Sequence, residues 1–167
     1  MKPSYAGIAA SAALAGTLVL SLQEGKGNTA TEPTGQLTAA QIEEELKAMS
    51  VYKETRKDEQ DGSDVFEMTL DGVNVQLFAV PTVDGKPQYW RLSGGWDLAA
   101  APRPDDVNKF NMGSKQAFSY LDREYDPYLV LDQNIAAGSS TEMLRTVVAS
   151  YRQALPDFKA IVLRNRA

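Results

Sequence analysis

Cysteine and histidine are both absent from this chain of 167 residues. Without cysteine no disulfide can staple the fold and no thiolate can serve as nucleophile or metal ligand, so the domain must be held by its apolar core. Without histidine, Ser-His-Asp and Cys-His hydrolases, zinc sites built on imidazole and a general base already poised near neutrality are excluded. Carboxylates, Lys, Tyr and Ser remain for catalysis. A basic excess is lacking as well: the net charge is -5 and the pI about 4.8. Nucleic-acid binders concentrate Lys and Arg on one face, so nucleic acid is not an expected partner. The length suits one small domain plus an appendage.

One long apolar run is present, Ala6 to Leu22, uncharged and preceded by a single basic residue, Lys2. That layout predicts a secretory signal, with residues 1–30 as signal peptide and leader and the protein periplasmic or secreted. The run falls just short of the roughly 20 residues that span a bilayer. Membrane association is therefore expected only if the leader is retained as an anchor. Residues 31–37 lack apolar periodicity and read as a flexible linker.

A helix is predicted from Thr38 to about Met49. Thr38 and Gln41 form the two halves of a capping box, Ile42, Leu46 and Met49 lie on one stripe, and Glu43, Glu44, Glu45 and Lys47 are expected to face water. The charge-dense KETRKDEQDGSD that follows reads as a solvated hairpin turning at Asp61-Gly62. Phe66, Met68 and Leu70 then alternate with polar residues up to Asp71-Gly72, and Val73, Val75 and Leu77 alternate after it, a strong hairpin signal. Asp84-Gly85 leads into QYWRLSGGW, where Trp90 and Leu92 share a face and Gly94-Gly95 marks a bulge or strand end. Pro104, Asp105 and Asp106 start a short helix carrying Val107 and Phe110, which Gly113 is expected to stop in the left-handed conformation. Ala117–Leu121 and Tyr128–Asp132 are two more strands. Gly138, Ser139 and Glu142 predict a capped helix striped by Leu144, Val147, Val148, Tyr151 and Leu155 and continuing to Phe158, with Pro156 expected to end or kink it. The fold class is α+β, an antiparallel sheet flanked by helices.

With VNKFN, SYLD, DPYLVLD, AAGSSTEML and LPDF in this order and spacing, the chain resembles the YbjN family, provisionally described as bacterial sensory transduction regulators. The resemblance covers roughly Ala39 to Phe158. It sets residues 38–158 apart as a YbjN-like domain, followed by a basic C-terminal helical tail, 159–167. It implies a bacterial protein with a fold like that of type III secretion chaperones: small, antiparallel, often a homodimer and not catalytic. Phe110 stands where the family usually has Trp and Tyr125 where a turn glycine is common. The cysteine pair that some members carry near Pro81 to Pro87 is missing.

Four residues are candidates for contact with a protein partner in the envelope: Trp96, Asn108, Phe110 and Asn111. Trp96 follows two glycines and is the best placed to be an exposed anchor. Asn108 and Asn111, three apart on one helix, would either bond an extended partner segment or satisfy backbone groups at the helix-to-strand corner. The second reading is favoured because Asn carries no acid-base chemistry. Asp122, Glu124 and Asp126 alternate as calcium ligands do, yet Pro127 stands where such a loop needs Gly and Gln133 where it needs Glu. Ser50-x-x-Lys53 follows a helix instead of starting one and has no companion motifs. No catalytic residue, metal ligand or cofactor is predicted. The leading reading is an exported, non-enzymatic, chaperone-like protein-binding module using a sheet face or strand edge. The alternatives are a small envelope enzyme or ligand-binding protein relying on carboxylates such as Asp122 and Asp132, and a structural component whose purpose is its dimer.

Overall fold

The computed structural model describes residues 35–60, 62–81 and 87–164. Helix α1 (Ala39–Ala48) leads into strands β1 (Tyr52–Lys57), β2 (Asp64–Leu70), β3 (Val73–Pro81) and β4 (Pro87–Gly95). Then come α2 (Pro104–Gly113), β5 (Ala117–Leu121), β6 (Pro127–Asn134) and α3 (Thr141–Phe158), which passes into a π-helical turn, Lys159–Leu163. The six strands form one sheet in the order β1-β2-β3-β4-β6-β5, antiparallel at every pairing. The chain leaves β4 through α2, forms the far edge as β5, and returns inward as β6. The predicted α+β class and antiparallel sheet are what the structure shows.

Alternation sorts the side chains onto two faces. Phe66, Met68, Leu70, Val75, Leu77, Trp90, Leu92, Leu129 and Leu131 share the covered side with Ile42 and Leu46 of α1 and Leu144, Val148, Tyr151 and Phe158 of α3, all buried in one cluster. Each such side chain contributes about 1.5–3 kcal/mol by leaving water. Register is set by the Asp71-Gly72 turn, where both residues have positive φ (50° and 79°) as a two-residue hairpin loop requires. The Thr38–Gln41 capping box is present, with both reciprocal bonds formed. The Asp84-Gly85 turn lies outside the described residues.

Several expectations give way to packing. Glu45 does not face water; it is buried and receives Arg145 of α3 through two bonds of 2.6 and 3.2 Å. Gly94-Gly95 is the strand end and not a bulge, since β4 closes at Gly95 and the β4–β6 register runs through both without a shift. A Cβ on Gly94 would stand 2.7 Å from the Tyr151 hydroxyl, and one on Gly95 2.6 Å from the Tyr128 ring. The pair is there for close approach. Gly113 is not left-handed: α2 stops on extended Ser114 (φ −79°, ψ 140°), whose N–H bonds the Phe110 carbonyl at 2.9 Å. The cap of α3 is Ser140, accepting from Met143 N at 3.1 Å, one residue later than expected.

Ser139 has a different task. Its hydroxyl accepts from Leu37 N (2.8 Å), its N–H bonds the Gly35 carbonyl (3.0 Å), and Gln36 Nε2 reaches the Ile135 carbonyl (3.3 Å). The last three residues of the expected linker are thus tied to the loop before α3. At the other end Pro156 neither stops α3 nor leaves a free tail behind it. Proline inside a helix costs about 3 kcal/mol. Val162 and Leu163 beyond it are both buried, and together they return about as much or more. The helix continues, and its last turn widens to π geometry. Arg166 lies outside the described residues.

Candidate partner-binding surface

The four residues singled out in the sequence do not converge on one surface. Phe110 is buried in the core, its ring edge-on to Phe158 at 5.5 Å, so the expectation that it touches a partner is corrected: α2 needs it to dock. Trp96 also packs against Phe158, at 4.7 Å, and is half-buried, not an exposed anchor. Asn108 is exposed on α2. Asn111 donates Nδ2 to the Ser119 carbonyl (2.9 Å) and accepts the Ser119 N–H at Oδ1 (2.7 Å). It mimics a neighbouring strand on the free edge of β5. The backbone-satisfying reading therefore holds for Asn111, and its amide is spent.

Both sheet edges are guarded. Asn111 blunts β5; β1 carries Lys53, Glu54, Arg56 and Lys57 and has a register irregularity between Tyr52 and Glu54. Charges and irregular register are the means by which edge strands avoid pairing with further strands. A face of the sheet is left, and it is the one no described helix covers.

On that face Arg91 and Asp132 form a bidentate pair across β4 and β6 (2.8 and 2.7 Å), with the guanidinium carbon 5.5 Å from the Tyr89 ring centre. Glu67 receives Arg56 (3.0 Å) and Gln76 (2.9 Å) on one oxygen. Tyr120 stacks on Tyr128 with ring centres 5.2 Å apart and planes within 4°. Phe118 and Tyr120 are 38% and 42% exposed, whereas Val130, paired with Phe118, and Val65, paired with Phe78 at the other end of the sheet, are only 1% and 3% exposed. This is a layered surface: aliphatic floor, paired charges, aromatics on top. Burial, followed by the charges of Asp122, Asp126 and Glu124 and the neighbouring Tyr120, pushes the Tyr128 phenol up.

The signal for this face was present in AFSYL: Phe118 and Tyr120 occupy the outward phase of an alternating strand, where polar residues are expected. Tyr128 also stands on the open side, opposite Gly95. The acidic turn carries the carboxylate oxygens of Asp122, Glu124 and Asp126 within 4.8 Å of one another. Asp122 Oδ1 accepts the N–H groups of Glu124 and Asp126 (both 2.9 Å), and Asp126 accepts Leu98 N at 3.3 Å. Tyr125 takes the left-handed conformation there (φ 67°), one that glycine would adopt without the cost of a Cβ. The two acids considered for catalysis, Asp122 and Asp132, are thus engaged in the turn and in the Arg91 pair. Among the described residues no helix is long and apolar enough to cross a membrane.

These features define a class: an α+β domain whose described helices all lie on one side of an antiparallel sheet. No family model matches the chain and no curated protein matches it in sequence. Among solved structures it is similar to YbjN from E. coli, provisionally described as a transcription regulator, at 12% identity and TM-score 0.50, covering 74% of this chain and 93% of that one. It is also similar, at 19% identity and TM-score 0.43, to the Yersinia pestis type III secretion chaperone SycH crystallised with a stable fragment of YscM2, covering 69% of this chain and 94% of SycH. The resemblance to YbjN read from the sequence is borne out as a likeness of fold.

Proposed function

We propose that the chain is an exported, non-enzymatic, chaperone-like module of the bacterial envelope, serving sensory transduction as a homodimer and holding a segment of a partner protein against its open sheet face. The observation that carries this reading is the face itself. Tyr, Phe and Arg over a buried aliphatic floor are the residue types that dominate binding energy at protein interfaces. The guarded edges favour docking on the face over addition of a strand. Export rests on the predicted signal, and the lack of His and Cys supports a non-catalytic role.

Site-specific photo-crosslinking tests it in the cells that make the protein. Benzoylphenylalanine placed at Phe118 or Tyr120 is expected to trap a discrete protein partner in the envelope fraction, while the same probe at Asn108 is not. Equal trapping from all three positions, or none from the face, overturns the reading. Light scattering on the purified chain checks the homodimer separately.

A further inference from the structure

Resting on that reading, we propose that the cavity where the open face ends, beside Gly95 and Trp96, receives the ammonium or guanidinium group of a Lys or Arg in the partner's segment. The cavity holds about 320 Å³; its walls include Trp96 and Tyr128, and its ionisable side chains other than Tyr128 are Glu67, Asp97 and Asp126, with no Lys or Arg among the lining. Glu67 is already matched by Arg56. Asp97 and Asp126 have no ion-pair partner among the described residues. Gly95 keeps the strand backbone low so that the Tyr128 ring lies across it.

A basic side chain fits this combination and other cations fit it less well. Its aliphatic stem packs on aromatic walls, its charged head gains from the ring faces, and the two unmatched carboxylates supply the counter-charge. A bare calcium ion needs six to eight oxygens at about 2.3–2.6 Å, which a space of about 320 Å³ walled in part by Trp96 and Tyr128 does not gather. Burial raises the Tyr128 phenol, and the charges of Asp122, Asp126 and Glu124 add to that rise, in agreement with a negative potential at this spot. Access is open from the face. Gly35–Leu37 join the domain at Ile135, beyond the Asn134 end of β6, whereas the cavity lies by the Tyr128 end, so among the described residues this stretch lies away from it.

The experiment is selection of phage-displayed peptides of about a dozen residues on the purified full chain, followed by calorimetric titration of a selected peptide. Selected peptides are expected to combine apolar residues with a recurrent Lys or Arg. Replacing that residue by norleucine should weaken binding about tenfold to the wild type and less than about twofold to the Asp97→Asn/Asp126→Asn variant. Peptides selected without any basic preference, or a norleucine penalty unchanged in the variant, overturn the cavity's role and leave the protein-binding reading standing. No selection on the face at all overturns both. Wild-type binding of a peptide without a basic residue is the internal control that the variant is folded, because it should be retained in both.

Discussion

On the covered side of the sheet, Met68, Leu70, Val75, Leu77, Leu92 and Leu129 are wholly removed from water; on the open side, Val65 and Val130 are roofed only by their neighbours' side chains. The same strands supply both sets. What differs is the cover. Helices α1 and α3 fill the first side with apolar side chains, so its energy comes from burial. The second side is tied by Arg91–Asp132 and Arg56–Glu67–Gln76, pairs that keep it compatible with water while leaving Phe118 and Tyr120 within reach of another molecule. Stability and recognition are thus separated across the thickness of one sheet.

Substitutions break or sharpen that separation. Phe158 touches both Trp96 and Phe110, so Phe158→Ala is expected to cost about 3–5 kcal/mol in urea unfolding, the largest effect of the set. Asn111→Ala leaves both Ser119 backbone groups without their partner and should cost about 1–3 kcal/mol, with concentration-dependent association by light scattering as the β5 edge opens. Asn108→Ala, one turn away, should change stability by less than about 0.5 kcal/mol. If the two asparagines behave alike, the edge-capping account is wrong.

Tyr151→Phe removes the bond from the buried hydroxyl to the Leu129 carbonyl, 3.0 Å, at a cost of about 1 kcal/mol near neutrality. Its pH signature is more telling. Burial pushes the Tyr151 hydroxyl well up, so the folded state keeps this proton after the unfolded chain has released it. The stabilisation is complete below about pH 10, the unfolded tyrosine value, and is lost as pH rises through the range between the unfolded and folded values. Unfolding midpoints measured from about pH 8 to about pH 11 should fall less steeply in the Phe variant. The open face contributes less to stability than the core or the capped edge: Tyr120→Ala should shift it by about 0.5–1 kcal/mol through the lost stacking on Tyr128. Partner binding should weaken by about tenfold or more. A large stability loss there, with binding intact, would reverse the assignment of the two sides.

Much of the scaffold was legible before any coordinates. Asp71-Gly72 announces its hairpin because the turn demands positive φ at both residues, and the Thr38–Gln41 box starts α1 because both partners lie within one helical turn. The stripe from Leu144 to Phe158 is equally local. The site was less legible. Phe110 and Trp96 looked available because a sequence does not show that both rings close on Phe158, about fifty residues away in the chain for the former. Glu45 looked solvated because its partner, Arg145, lies 100 positions further on. Ser139 looked like a cap until Leu37, 102 positions before it, took its hydroxyl.

By itself the sequence determined which chemistries are closed to this protein and where its helices and strands run, since those follow from residue inventory and from short-range periodicity. Tertiary structure decided which side of the sheet is covered, why Gly94 and Gly95 have to be glycine, and that Arg91 meets Asp132 beside a row of aromatics. Each of these depends on atoms brought together by strand pairing and helix docking over long stretches of chain, and no local pattern encodes such distances.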